Sequence, residues 1–166
     1  MVRVIQLIVD NTSGVLSRIS GLFSRRGYNI ESITAGITAD PRYTRITIVT
    51  SGDENILEQI EKQVGKLIDV RDIRVLEPAE SVYRELVLIK VKVGEDKRQA
   101  LVTVCDVLRA KIIDITTDSM IIELTGTQSK INAFIEMLSD YEILEIARTG
   151  IAGLRRGSEG VVNLND

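Results

Sequence analysis

The sequence contains no histidine, no tryptophan and a single cysteine. Without His it lacks the commonest metal ligand and the side chain best suited to proton transfer near neutral pH. One thiol, Cys105, excludes an internal disulfide. It lies in LVTVCDVLRA at helical spacing with Leu101 and Leu108 and is expected to be a buried packing residue, not a reactive group. Aromatic residues make up 4% of the chain and the formal net charge is −3, so neither stacking platforms nor a basic face is provided for nucleic acid. No apolar run reaches the length needed to span a membrane. The opening, MVRVIQLIVDN, is broken by Arg3 and Gln6 and has no small-residue cleavage site, so it is expected to be a first strand instead of a signal peptide. A cytoplasmic location is expected.

What is present is a globular composition, 44% hydrophobic and 27% charged over 166 residues. That is enough chain for one ordinary domain or two compact ones without metal or disulfide support. The aliphatic run VRVIQLIV predicts a strand. After the loop DNTSG, the residues Val15, Leu16, Ile19, Leu22 and Phe23 fall on one face of a helix closed by Gly27. YNIESITAGIT and YTRITIVTS, separated by ADPR, form a hairpin pattern. Asp53 is placed to cap a second helix carrying Ile56, Leu57, Ile60, Val64, Leu67 and Ile68, and VRDIRVLE is a closing strand.

After a polar stretch from Glu77 to Ser81 the same element order restarts with RELVLIKVKV. DKRQALVTVCDVLRA predicts a helix, KIIDITT and SMIIELTG two strands, SKINAFIEMLSD a helix and ILEIART a last strand. The expected fold class is α+β: two βαββαβ units, each an antiparallel sheet with both helices on one face, at residues 1–77 and 83–166. Such sheets leave an open face and edge strands, so pairing of N-terminal units edge to edge in a dimer is expected. The tail TGIAGLRRGSEGVVNLND, rich in glycine and polar residues, is expected to be a loop or mobile end.

The segment most suggestive of a ligand is Asp10 to Leu16. Read alone, DNTSG is a turn with Ser13 or Thr12 as helix N-cap. The alternative is a site in which exposed backbone N–H groups and Gly14 receive a carboxylate. Asn29, between a helix-ending glycine and the next strand, is expected to bring a second amide near the same end of the sheet. Asn11 and Asn29 would then hold a zwitterion among Val15, Leu16 and Ile30; as a turn residue Asn29 needs no ligand.

These residues carry a family resemblance. DNTSGVLSRISGLFSRRGYNIESITAG, DPRYTRITIVTSGD, LEQIEKQVGKLIDV, RELVLIKVKV, IIDIT and ARTGIAGLRRG, in that order, resemble the small regulatory subunit of acetohydroxyacid synthase, also called acetolactate synthase. The resemblance covers nearly the whole chain. It implies an N-terminal ACT domain of ferredoxin-like fold and a related C-terminal domain. It implies that the chain is non-catalytic and binds no cofactor, while a large partner subunit carries thiamine diphosphate, magnesium and flavin. It further implies activation of that subunit and feedback inhibition by valine. By position, the valine site would comprise Asn11, Ser13, Gly14, Val15 and Leu16 of one subunit with Asn29 and Ile30 of the other in a homodimer.

Two competing classes have weaker support. An RNA-binding or metal-sensing module on this fold would need exposed aromatics, or His and Cys, and the strands RELVLIKVKV and YTRITIVTS offer only Tyr43. A phosphatase-like enzyme would need an Arg and a carboxamide aimed at phosphate. Arg18 and Asn11 are available, although Arg18 is more simply a solvated helix residue.

Overall fold

The computed structural model describes residues 1–160, and within them the chain forms two compact units. The first opens with β1 (Val2–Asp10), α1 (Val15–Arg26), β2 (Asn29–Ile37), β3 (Tyr43–Ser51), α2 (Glu54–Val64) and β4 (Val70–Val75). Its sheet runs β2-β3-β1-β4, with every neighbouring pair antiparallel. Val15, Ile19, Leu22 and Phe23, spaced at helical period, turn one face of α1 inward, and Leu57, Ile60 and Val64 do the same for α2. They meet Ile5, Leu7, Val9, Ile46 and Ile48 from the sheet in one apolar core. Each such side chain contributes about 1.5–3 kcal/mol on full burial, more than an exposed ion pair does.

Local chemistry explains where the helices stop. Gly27 has φ +67, its N–H bonds to the Ser24 carbonyl, and the Tyr28 N–H reaches back to Phe23 O. This double closure needs a left-handed residue, which glycine supplies without Cβ strain. In α2 the Asp53 side chain accepts the Ile56 N–H at 2.9 Å, as expected of a cap. That helix ends at Val64, however, and Ile68 is 87% exposed instead of continuing its apolar face.

The second unit spans Arg84–Thr149. It contains most of β5 (Ser81–Lys92), then α3 (Glu95–Leu108), β6 (Lys111–Ile115), β7 (Ser119–Gly126), α4 (Gln128–Met137) and β8 (Glu142–Arg148). Its strand order, β6-β7-β5-β8, is that of the first unit. The two units also share their irregularities: β2–β3 and β6–β7 each shift register once, and so do β1–β4 and β5–β8. Both are therefore the ferredoxin-like βαββαβ expected from the sequence. Cys105 is fully buried beside Leu101, Met120 and Phe134, and burial pushes its thiol pKa up to about 11.

The tail departs from expectation. Residues 150–160 pack with the first unit, and instead of a loop they include a short strand, β9 (Ala152–Arg155), that pairs with β5. The physical reason is burial. Residues opposed across strands share a face, so the sheet surface away from the helices carries Val4 with Val49, and Gln6 with Thr47. Ile151, 4% exposed, covers this surface with Leu76 and Tyr83. The final stretch of the expected mobile tail, 161–166, lies outside the described residues.

Two ion pairs fix the end of β1. Arg18 donates from Nε and Nη2 to the Asp69 carboxylate at 2.6 and 3.0 Å, and Arg71 grips Asp10 in the same forked way at 2.7 and 2.9 Å. The Asp10 N–H also bonds to the Asp69 carbonyl at 3.0 Å. Arg18 is thus a tether between α1 and the turn before β4, not merely a solvated residue. Its guanidinium holds the Asp69 carboxyl below the ordinary carboxylate range.

A depressed carboxylate pKa stabilises the fold above its ordinary value and loses that contribution as pH falls through the depressed one. The melting temperature of the wild type should therefore drop more steeply on acidification below about pH 4 than that of Asp69→Asn, as followed by circular dichroism. Cys105 should resist alkylation in the native protein at neutral pH and react on unfolding in denaturant, which mass spectrometry of the adduct would show.

Candidate ligand site

The turn between β1 and α1 has the backbone chemistry of an anion site. Gly14 precedes the first helical residue with φ +84, and no side chain caps the helix. Ser13 and Thr12 therefore do not fill the N-cap role the sequence suggested; the left-handed turn at Gly14 places a residue without a side chain there. In a helix the first N–H groups have no acceptor within the helix. Here they belong to Val15, Leu16 and Ser17, and the first turn has no acidic residue to answer them. α2, by contrast, has Asp53 as cap and Glu54 in its first turn.

The side chains divide by role. Val15 is 3% exposed and anchors the turn in the core, whereas Leu16 is half exposed and faces out. Asn11 donates from Nδ2 to the Pro41 carbonyl at 2.9 Å and accepts the Thr44 hydroxyl on Oδ1 at 3.1 Å. Its backbone N–H bonds to Arg42 O at 2.8 Å, so Asn11 pins the turn to the β2–β3 hairpin. A carboxamide with one donor and one acceptor so used retains another of each. Arg18 brings a cation close: a Cβ on Gly14 would stand 2.9 Å from its Nη1.

Asn29 lies elsewhere. It opens β2, stands opposite Ser51, and is exposed, with Nδ2 donating to the Ser51 hydroxyl at 3.4 Å. Asp10, next to Asn11, stands opposite Tyr43 at the other end of β3. At about 3.4 Å per residue, the strand between these ends is roughly 27 Å long. The expectation that both amides gather at one end of the sheet is thus overturned for a single chain. Register is the cause: antiparallel pairing sends the start of β2 to the start of β1, while Asn11 follows the end of β1. Ile30, which follows Asn29, packs partly against the core.

The sequence reading missed the Asp69 and Arg71 partners around the turn, because nothing in LIDVRDI marks those residues as distinct from surface charge. Arg18 and the Asn11 amide, the groups named by the phosphatase-like reading, both hold the turn in place, Arg18 through Asp69 and Asn11 through Pro41 and Thr44. Tyr43, the aromatic required by an RNA-stacking surface, is 6% exposed. Among the described residues, no group of three or more Asp, Glu or Cys side chains is positioned to hold a metal ion.

Comparison with known proteins covers both units. Residues 5–72 match the family model of the AHAS small subunit-like ACT domain, and residues 84–157 match that of the small subunit of acetolactate synthase. The chain is 45% identical to a probable acetolactate synthase small subunit of Methanothermobacter thermautotrophicus, over 94% of each chain. It is 43% identical to the acetolactate synthase isozyme 3 small subunit of Escherichia coli, covering 96% of this chain and 98% of that one. The crystal structure of the acetolactate synthase small subunit from Thermotoga maritima superposes with a TM-score of 0.87 at 40% identity, covering 96% of this chain and 99% of that one. With both family models matched in order and relatives matched over more than nine-tenths of their length, the chain belongs to the acetolactate synthase small-subunit family, with an ACT domain as its first unit.

Proposed function

We propose that the chain is the regulatory subunit of an acetolactate synthase, activating a large catalytic subunit and conferring feedback inhibition by valine bound between two copies of the ACT domain. The catalytic chemistry, with thiamine diphosphate, magnesium and flavin, belongs to the large subunit. The observation that carries the valine reading is the separation of Asn11 from Asn29 together with the position of β2 at the sheet edge. Pairing two β2 edges antiparallel about a two-fold axis sets Asn29 of one copy beside Ile37 of the other. Ile37 stands opposite Thr44, which bonds to Asn11. The dimer thereby restores the neighbourhood that one chain cannot make.

At such a seam the first-turn N–H groups of α1 receive the ligand carboxylate, helped by the helix dipole and the nearby Arg18 cation. The amides of Asn11 and of Asn29 from the second copy supply neutral polar contacts, and Leu16 and Ile30 supply apolar wall. Burial of a valine side chain is worth about 1.5–3 kcal/mol, so the polar contacts must provide much of the remaining affinity. One methylene changes binding in an apolar pocket by about 1–3 kcal/mol. Leucine and isoleucine are accordingly weaker ligands. Regulation follows from linkage: valine inhibits because it favours a state of the dimer that activates the catalytic subunit less.

Valine should raise the melting temperature of the purified protein more than the other common amino acids do, and a flat screen would reject the ligand. Sedimentation should find a dimer at micromolar concentration. Gly14→Asp should fold, at a cost of about 1–2 kcal/mol for a side chain in the left-handed region, yet abolish valine inhibition of the reconstituted enzyme. Its carboxylate would meet Arg18 where the ligand's acid group belongs. Asn29→Ala should weaken valine binding by about 1–3 kcal/mol in calorimetry, and wild-type affinity would contradict the shared site.

A further inference from the structure

The sheet surface away from the helices is closed by a segment that arrives from the far end of the sequence. Gly150 follows β8 by two residues, has φ +82, and sits so close to β2 that a Cβ would stand 2.9 Å from Ser32 Cβ and 3.0 Å from Thr34 Oγ1. Ile151 buries against Val4, Val49 and Leu76. Gly153 is seated equally closely, since a Cβ there would meet Leu76 Cδ1 at 2.9 Å and the Tyr83 ring at 3.0 Å. The Tyr83 hydroxyl donates to the Leu76 carbonyl, which holds that wall in place. The Arg156 N–H then bonds to Glu80 O at 2.7 Å. Two glycines and an isoleucine thus fit a shaped seat reaching from β2 to the start of β5.

One cation fastens this strap. Arg45 projects from β3 on the covered face and donates from Nη2 to Gln6 Oε1 at 2.6 Å and to the Gly153 carbonyl at 2.7 Å. Both acceptors are neutral. Burial lowers the guanidinium pKa, and the neighbouring Arg74 lowers it further, against the opposing effect of Asp72. A half-buried cation held by uncharged oxygens gains solvation when its cover lifts. The closure therefore rests on apolar burial of Ile151 and on the Arg45–Gly153 hydrogen bond, which together outweigh the hydration Arg45 regains on release.

We propose that the strap Gly150–Arg156 is the coupling element through which ligand occupancy at β2 reaches the second unit. The chain joins the two units at Tyr83–Arg84 and Thr149–Gly150. The second junction leads directly into the strap, and the strap rests on the strand that carries Asn29 and Ile30. The inference rests on the valine reading of that strand. Arg45 is a positioning residue in it, acting through Gly153 and touching no ligand.

The test uses the full chain and its complex with the large catalytic subunit. Gly153→Val removes the space for the strap, and Arg45→Met removes its fastening. In both, tryptic cleavage after Arg155 and Arg156 should accelerate, by about tenfold for Arg45→Met, which loses one charged hydrogen bond. Valine should still bind each variant in calorimetry, while inhibition of the reconstituted enzyme is largely lost. Arg45→Lys, which retains the cation and a donor, should recover part of the inhibition. Cleavage rates equal to wild type in both variants would refute the fastened seat. Full inhibition in a variant whose strap is cleaved rapidly would refute the coupling. Absence of valine binding to the wild-type protein would overturn the ligand reading and the coupling with it, which separates that failure from the other two.

Discussion

The register of β3 against β1 and β2 is the constraint on which the site depends. β3 pairs along its whole length with both neighbours, running from Tyr43 opposite Asp10 to Ser51 opposite both Val2 and Asn29. A slip of one residue would turn Ile46 and Ile48 out of the core, so burial of those side chains holds the alignment. With it held, the β1–α1 turn and the start of β2 are at opposite ends of a nine-residue strand. A small ligand touching both must join two molecules. Dimerisation is therefore a geometric requirement of the proposed valine site.

Around the turn, packing and the proposed ligand contacts use the same groups in different proportions. Asn11, Val15 and the Asp10 and Arg18 ion pairs hold the loop in place, leaving the α1 amides and Leu16 directed outward. The charge balance there is not neutral in effect. Asp69 occupies two donors of Arg18, yet its third nitrogen stays beside Gly14. An acid group entering the turn meets a cation already held in position by another carboxylate, so little side-chain entropy remains to be lost.

The two units share topology and even the locations of their register shifts, but they diverge in what covers the second face of the sheet. In the first, Ile151, Leu76 and Tyr83 pack over Val4 and Val49, and Gln6 and Thr47 on the same face are also buried. In the second, β8 is exposed along its length, with Lys90 and Glu145 paired on its solvent side. A common fold has thus become one unit closed by its own tail and another with an accessible edge. That asymmetry is consistent with different tasks for the two halves.

Much of this was legible in the sequence because it is carried by near neighbours. The helical faces of Val15 to Phe23 and Leu57 to Val64, the Gly27 stop and the Asp53 cap all depend on residues within a turn or two, and the ordered motifs identified the family. Ile68 misled because periodicity does not mark where a helix unwinds. The remaining features join residues far apart in the chain: Arg18 to Asp69 across 51 positions, Arg45 to Gly153 across 108. No local pattern distinguishes Asp69 from a solvated acid, or IAGLR from a flexible end. Propensity and spacing determined the elements and their order. Tertiary packing alone decided which ends of the sheet meet, which charges pair and where the tail is buried, because those depend on register and on burial among distant segments.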